Sequence, residues 1–270
     1  MAKIITVTSG KGGVGKTTTT AAIGAALART GDKVVVVDFD VGLRNLDLIM
    51  GAERRVVYDF VNVIQGDARL PQALIKDKRL DSLFLLPASQ TRDKDALTEE
   101  GVDKVIGDLS RHFDWVICDS PAGIERGATL AMRHAEIAIV VTNPEVSSVR
   151  DSDRIVGILD AKTLKAERGE TVDKRLLLTR YDAARAARGD MLKTEDVLEI
   201  LSLPLLGIVP ESPDVLKASN MGVPVSINDP NSAPARAYHD AALRLKGEDI
   251  AMETPRQRLG LFGKFLRRAA

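Results

Sequence analysis

The sequence predicts a three-layer α/β fold, in which a mostly parallel sheet lies between helices on both faces. Seven short runs rich in Val, Ile and Leu predict strands, at Ile4–Thr8, Val34–Val37, Leu83–Leu86, Trp115–Cys118, Ile137–Thr142, Leu176–Thr179 and Leu205–Val209. Helical stretches separate most of them, at residues 17–30, about 98–111, 147–161, 194–201 and 232–246. Strands that alternate with helices indicate βαβ units, and runs that are apolar on both faces are typical of a buried parallel sheet.

The composition is that of a folded chain with an uneven distribution of charge. Of 270 residues, 44% are hydrophobic and 28% charged, and the formal net charge is zero, which argues against a disordered chain and against a uniformly basic surface for nucleic acid. Five of the 38 basic residues and none of the 38 acidic residues lie in 256–270. The first 255 residues therefore contain 33 basic and 38 acidic residues, which gives them a net charge of −5. The single cysteine, Cys118, cannot form an internal disulfide and predicts a reducing compartment. No apolar run approaches the ~18 residues of a membrane span.

A glycine-rich loop follows the first strand and precedes a helix. Its residues, Gly10, Lys11, Gly12, Gly13, Val14, Gly15, Lys16 and Thr17, fit G-x-x-x-x-G-K-[ST]. Glycines let backbone N–H groups surround phosphate oxygens, and the helix N-terminus adds partial positive charge. We expect Lys16 to bridge the β- and γ-phosphates of ATP, Thr17 to bind Mg²⁺, and Thr18 to belong to the same nucleotide site. The predicted fold is therefore a three-layer P-loop NTPase.

Two carboxylates follow neighbouring apolar strands. Asp40 lies just after the second strand, where it is placed to accept a hydrogen bond from an attacking water, although a turn or helix-capping aspartate is the alternative. Asp119 follows Trp115–Cys118, which is the pattern of an acid that holds Mg²⁺ directly or through water. Cys118 itself is expected to be a small buried apolar residue.

With its second lysine, Lys11, the loop resembles the deviant Walker A loop of the ParA/MinD family of ATPases. Four further segments resemble the members that regulate the division site, at residues 37–47, 54–60, 87–94 and 142–153. The resemblance covers nearly the whole chain. It implies slow, Mg²⁺-dependent ATP hydrolysis and a homodimer formed on ATP, in which Lys11 reaches the partner's phosphates and acts in catalysis with Lys16 and Asp40.

The same resemblance implies partners and further site residues. The partners are a MinC-like division inhibitor that the chain recruits and a MinE-like activator that stimulates hydrolysis. Arg44, Glu53 and Asp153 are implied to form the surface for these partners, and Asn45 and Asp151 to lie near the switch surface remodelled by dimerisation. Contacts with adenine are implied for Arg180, Pro210 and Glu211. For each surface charge, an ordinary solvated residue is the alternative.

The last residues predict a membrane-binding segment. We divide the chain into an ATPase domain (1–247), a linker (248–255) and an amphipathic tail (256–270). At 100° per residue the apolar side chains of the tail fall within an arc of about 160°, with basic residues opposite. The apolar group is Leu259, Leu261, Phe262, Phe265 and Leu266, and the basic group includes Lys264, Arg267 and Arg268. Such a helix is typical of a protein that binds an anionic membrane surface, so we expect a cytoplasmic protein reversibly attached to the inner face of the cell membrane. A docked C-terminal helix and a disordered tail are the alternatives.

Two other functions fit a related loop. A DNA- or cargo-partition ATPase of the ParA type needs a basic folded surface, which the acidic body does not predict, so no specific nucleic acid is expected. A small-molecule kinase or amidotransferase-like synthetase predicts substrate-dependent turnover. A nitrogenase-type electron donor is excluded because a cluster shared across its dimer needs two cysteines per chain, and Cys118 is alone.

Overall fold

The computed structural model describes residues 1–92 and 96–253, and within them eight strands form one sheet. The strands are β1 (Lys3–Thr8), β2 (Val34–Asp38), β3 (Ile75–Lys76), β4 (Leu83–Leu86), β5 (Trp115–Asp119), β6 (Ile137–Thr142), β7 (Asp173–Tyr181) and β8 (Leu205–Pro210). Their order is β3-β4-β2-β5-β1-β6-β7-β8, and every neighbouring pair is parallel except β3 with β4. The seven predicted strands are all present, and only the two-residue β3 was not predicted.

Helices cover both faces of the sheet. In chain order they are α1 (Lys16–Arg29), α2 (Leu46–Ile49), α3 (Phe60–Gln65), α4 (Leu70–Ala73), α5 (Glu99–Ser110), α6 (Arg126–Met132), α7 (Val146–Ala161), α8 (Leu164–Glu167), α9 (Ala183–Arg188), α10 (Thr194–Leu201), α11 (Pro213–Asn220), α12 (Val225–Asn228) and α13 (Ala233–Lys246), with a 3₁₀ turn at Glu53–Arg55. Side chains of α1 and α13 pack on one face, whereas those of α3 and α5, and of α7 and α10, pack on the other. The predicted three-layer architecture is confirmed.

The run of four valines in β2 shows how the sequence builds these layers. All four side chains are buried. Val34 and Val36 pack with α1, whereas Val35 and Val37 pack with α5 on the opposite face. Successive side chains of a strand point to opposite faces, so a strand between two helical layers must be apolar at every position. This is why the strand was recognisable as an uninterrupted apolar run.

The residues that follow the last helix form hydrogen bonds with the folded domain, although the sequence predicts a linker there. Helix α13 ends at Lys246 and is capped by Gly247, which has a left-handed φ of 94°. Beyond it, the Arg244 guanidinium donates hydrogen bonds to the carbonyls of Ile250 (3.0 Å) and Ala251 (2.7 Å), and also to that of Leu206 (2.8 Å) in β8. The first residues of the predicted linker are therefore fixed against the body.

The predicted amphipathic tail, 256–270, lies outside the described residues, so the division into domain, linker and tail stays a prediction. Across 1–92 and 96–253, none of the helices has the length and apolar character that a membrane crossing requires.

Gly24 allows α1 to approach the sheet closely, and replacing it provides a test of this packing. A Cβ atom at Gly24 would lie 2.7 Å from Cγ1 of the buried Val36, so we expect Gly24→Ala to lower the free energy of unfolding by about 1 to 2 kcal/mol. The matched control is Gly157→Ala in α7, where a Cβ meets nothing within 4 Å and the better helix propensity of alanine raises stability by up to about 1 kcal/mol. Urea denaturation measures both, and equal shifts in the same direction would contradict this packing.

Candidate nucleotide-binding site

The phosphate loop lies between the carboxyl end of β1 and the start of α1. Gly13 and Gly15 adopt left-handed φ angles of 76° and 98°, and a Cβ at either position would meet nothing within 4 Å. These glycines are therefore needed for their backbone conformation, and they leave the loop open above. Gly10 is needed for another reason, since a Cβ there would lie 2.1 Å from the carbonyl oxygen of Asp151 in α7. The loop is therefore open above Gly13 and Gly15 and is packed against α7 at Gly10.

The ammonium group of Lys16 is buried beneath the loop. Its side chain is only 8% exposed, and Nζ donates to Ser9 Oγ at 2.9 Å and to the Lys11 carbonyl at 3.4 Å. Ser9 Oγ itself donates to the Lys11 carbonyl at 2.7 Å. Burial lowers the pKa of Lys16, while the negative charges of Asp119 and Asp40 raise it. A phosphate oxygen at the loop would give this buried cation a charged partner.

Two fully buried aspartates lie side by side at the ends of β2 and β5. Asp38 and Asp119 are paired positions in the register of these strands. Burial raises the pKa of Asp119, and the charge of Asp38 raises it further, against hydrogen bonds from the hydroxyls of Thr17 and Thr20. The Thr20 bond, from Oγ1 to Asp119 Oδ1, measures 2.9 Å. Burial also raises the pKa of Asp38, although its carboxylate accepts backbone N–H groups from Asp40 (2.8 Å) and Leu46 (3.2 Å).

The pair formed by Thr17 and Asp119 has the chemistry of a Mg²⁺ site. Hydroxyl and carboxylate oxygens are hard ligands of the kind Mg²⁺ prefers, and the two side chains are already hydrogen-bonded to each other. Within the described ranges, no group of three or more His, Cys, Asp or Glu side chains forms a ready metal cage. This fits Mg²⁺, which is usually held by one or two protein ligands together with phosphates and water. Thr17 and Asp119 therefore fit the predicted metal role.

Asp40 and Lys11 are the two remaining residues predicted to act in hydrolysis. Asp40 lies two residues beyond the end of β2, and its carbonyl accepts the N–H groups of Leu43 (3.2 Å) and Arg44 (3.0 Å). A small cleft beside Asp40 is also lined by Pro121 and Ala122. Lys11 Nζ lies 3.2 Å from Glu145 Oε2 and 3.1 Å from Ser147 Oγ, at the start of α7 of the same chain. The predicted reach of Lys11 across a dimer stays a prediction, because the single chain shows only this internal contact.

The residues expected at the partner and switch surfaces lie in two places. Asp151 and Asp153 are on α7, and the Asp151 carbonyl lies against Gly10 of the phosphate loop. Asn45 is exposed at the start of α2. Glu53 lies in the 3₁₀ turn that follows.

Arg44, which is also predicted to contact a partner, differs from these residues because it forms an ion pair with a buried carboxylate of the chain. Arg44 has a left-handed φ of 47°, and its Nε lies 2.8 Å from Oδ2 of the buried Asp47. Its guanidinium therefore stabilises a buried carboxylate in addition to any role toward a partner.

The predicted adenine contacts are brought together at the ends of β7 and β8. The Glu211 N–H donates to the Tyr181 carbonyl at 3.0 Å, which places Arg180 beside Pro210 and Glu211. Arg180 is exposed and has a left-handed φ of 54°.

Two buried residues that sequence reasoning missed hold the loop from the side of β7. Thr179 Oγ1 lies 2.7 Å from the Val14 carbonyl and 2.9 Å from Asn143 Oδ1. Both residues lie at carboxyl ends of parallel strands, the edge where α/β sheets bind ligands, so their position was the available signal. Sequence reasoning also missed Ser9, which accepts a hydrogen bond from Lys16, and Thr20, which donates one to Asp119.

Comparison with known proteins identifies the kind of site. The sequence model of the CobQ/CobB/MinD/ParA nucleotide-binding domain matches residues 5–225. The septum site-determining protein MinD of Escherichia coli K12 is 64% identical over 92% of this chain and 93% of its own length. The chain belongs to the MinD family.

Solved structures agree with this assignment. The MinC:MinD cell division protein complex of Aquifex aeolicus has a TM-score of 0.84 and 41% identity, covering 94% of this chain and 99% of that chain. The Pyrococcus horikoshii septum site-determining protein MinD, complexed with Mg-ADP, has a TM-score of 0.80 and 32% identity, and the match covers 91% of this chain and 96% of that chain. Membership of the MinD family confirms the predicted P-loop NTPase fold, and it makes this chain an ATPase.

The buried acidic pair predicts a pH dependence of the nucleotide-free chain. Because the folded chain raises the pKa values of Asp38 and Asp119 above the unfolded value of ~3.9, it binds more protons than the unfolded chain, and the free energy of unfolding falls as pH rises above about 4. Asp119→Asn removes one of these groups. Between about pH 5 and pH 8, the free energy of unfolding of this variant should therefore fall by less than that of the unsubstituted chain, the difference being about 1 kcal/mol or more. Urea denaturation in chelator compares the two proteins, and parallel pH profiles would show that Asp119 is not the perturbed group.

Proposed function

We propose that this chain is an ATP-dependent switch that helps to position the division septum, dimerising on ATP, binding the membrane surface and recruiting a MinC-like division inhibitor. The observation that carries the proposal is the 64% identity to a septum site-determining protein over 92% of the chain. The local geometry supports it, because the residues predicted for phosphate and Mg²⁺ binding converge at one edge of the sheet. The likeness to that relative also favours septum placement over DNA partition, which was the alternative from sequence.

The phosphate loop and its neighbours supply the binding chemistry. The open backbone of Gly12, Gly13 and Gly15 receives the β-phosphate, and Lys16 leaves Ser9 to contact the phosphate oxygens. Thr17 and Asp119 hold Mg²⁺, which when bound neutralises charge on the phosphates. Binding of the cation requires a deprotonated Asp119, so the raised pKa of this carboxyl sets a cost on Mg²⁺ binding that falls as pH rises. Arg180, Pro210 and Glu211 border the adenine.

Hydrolysis depends on Asp40 and Lys11. Asp40 accepts a hydrogen bond from the attacking water beside the turn at Pro121 and Ala122. Lys11 leaves Glu145 and Ser147 on dimerisation and places its ammonium at the partner's phosphates, where a cation stabilises charge that develops in phosphoryl transfer. Since the Lys11 contact needs a second chain, hydrolysis is slow in the isolated chain. A MinE-like activator raises the rate of the dimer.

The recruiting surface is built around α7. Asp151 and Asp153 lie on this helix, and Lys11 pairs with residues at its start. Asn45 and Glu53 add a second part of the surface near α2. A MinC-like inhibitor is proposed as the recruited protein because the Aquifex aeolicus structure pairs MinD with MinC. Release of Lys11 on dimerisation changes the charge pattern of α7, which links nucleotide state to recruitment.

Membrane attachment is assigned to residues 256–270. Each basic residue near an anionic surface contributes about 1 kcal/mol, and each buried large apolar side chain ~1.5–3 kcal/mol before the entropy of ordering is subtracted. One tail therefore binds weakly. Two tails on one dimer raise the effective concentration, so the ATP form binds far more strongly without any new contact.

Vesicle sedimentation tests the attachment. Full-length protein should sediment with phosphatidylglycerol-containing vesicles in ATP, much less in ADP, and less at high salt because part of the attraction is electrostatic. Ending the chain after Pro255 should abolish sedimentation and leave ATP binding intact. Vesicle binding that persists in the shortened chain would refute the tail as the anchor, and ATP-dependent DNA binding without lipid binding would favour a partition ATPase instead.

Lys16→Gln tests whether nucleotide drives assembly. Loss of the buried ammonium should remove a phosphate contact and abolish ATP-dependent dimerisation, measured by sedimentation velocity. The matched control is Lys78→Gln, which removes an equal charge from an exposed lysine far along the chain from the loop. A normal ATP-dependent dimer of Lys16→Gln would refute the role assigned to Lys16.

A further inference from the structure

An open cleft lies along β8 and α13. It includes no residue of the phosphate loop, but it shares Pro210 and Glu211 with the proposed adenine contacts. It is bordered by β8, α13, the start of α9 and the last described residues, and includes Ile208, Ala237, Asp240 and Met252. Its volume is about 1130 Å³, which is above the ~300–1,000 Å³ range of small-molecule sites, so it is suited to a polypeptide segment. Among the described strands, β8 pairs only with β7, and its residues Ile208 and Pro210 line this cleft.

The chain itself enters the cleft at the end of the described residues. Arg244 donates to the carbonyls of Ile250 and Ala251 and to that of Leu206 in β8, which fixes residues 250–251 beside the strand. The next two residues, Met252 and Glu253, line the cleft. Residues 254–270 therefore start at its rim, and no intervening chain is needed for them to reach it.

The charge of the cleft is opposite to that of the segment that follows. Four acidic residues line it against two arginines; they are Asp182, Glu211, Asp240, Glu253, Arg236 and Arg244. The segment 256–270 has five basic residues and no acidic one. Intramolecular attraction between opposite charges is strengthened when the two groups are tethered a few residues apart.

Part of the wall of the cleft is apolar. Ile208, Pro210 and Pro213 contribute to its wall, and Met252, a large side chain with 37% of its surface exposed, lies at its rim. The segment 256–270 contains five large apolar residues that a water-exposed state would leave uncovered. Burying part of this surface in the cleft lowers the free energy of the detached protein.

We infer that residues 256–270 dock in the cleft along β8 when the chain is away from the membrane, so that the cleft and the lipid surface compete for one segment. The inference rests on the proposed role of this segment as the membrane anchor. A segment that spends most of its time docked binds lipid with an apparent affinity reduced by its undocked fraction. Docking therefore weakens attachment of the monomer to the membrane. In an ATP dimer, two tails bind the membrane together, and their combined affinity exceeds the cost of undocking them.

Charge-neutralising substitutions in the cleft test the competition. In the full chain with ADP, Asp240→Asn combined with Glu253→Gln should weaken docking and raise binding to phosphatidylglycerol-containing vesicles by about three- to tenfold. The matched control is Glu195→Gln with Glu199→Gln, which removes two exposed acids from α10 and reduces repulsion from the vesicle equally. Equal vesicle binding by the two double variants would overturn the inference.

Amide hydrogen exchange gives a second test that does not depend on lipid. Without nucleotide or vesicles, residues 206–211 and 236–244 should exchange more slowly in the full chain than in a chain ended after Pro255, and adding vesicles with ATP should remove the difference. Identical exchange in the two chains would overturn docking even if ATP-dependent vesicle binding is normal. Protection of the cleft without any vesicle binding would instead support docking and refute the proposed membrane function.

Discussion

The backbone of the phosphate loop touches the backbone of α7 at a point where no side chain fits, and the site depends on this contact. A Cβ on Gly10 would lie 2.1 Å from the Asp151 carbonyl oxygen. On the other side, Thr179 Oγ1 lies 2.7 Å from the Val14 carbonyl. The loop is therefore held between α7 and β7 before any ligand arrives, and a displacement of the loop has to move α7 or break the contact.

The strand order explains why the remaining groups meet at this loop. Strand β1 lies between β5 and β6, with β2 beyond β5 and β7 beyond β6. The carboxyl ends of these parallel strands therefore place Asp38 and Asp119 on one side of the loop, and Asn143 and Thr179 on the other. Packing of the buried strands offsets the cost of bringing two carboxyls into the interior, and that cost is visible as their raised pKa values.

The sequence was most informative where structure is determined locally. Val34–Val37 predicted a strand buried on both faces, and the loop motif located Lys16 and Thr17. Contacts between residues far apart in the chain were not predictable in the same way: Thr179 meets Val14 across 165 positions, and the use of Arg244 to fix Ile250 requires the three-dimensional path of the chain. Lys11 belongs to this second group, because its internal partners on α7 depend on the fold rather than on the motif. Short helices such as α11 and α12 lacked the long periodic pattern that marks α5 or α13.

The most direct test of this account is the response of α7 to nucleotide. Amide hydrogen exchange should be measured in the full chain with and without Mg-ADP, together with the affinity for ADP in the same samples. Because the loop and the start of α7 share the Gly10 contact and the Lys11 bonds, binding should change exchange at residues 146–152 as well as in the loop. Saturating ADP that alters the loop and leaves residues 146–152 unchanged would contradict the claim that the two move together.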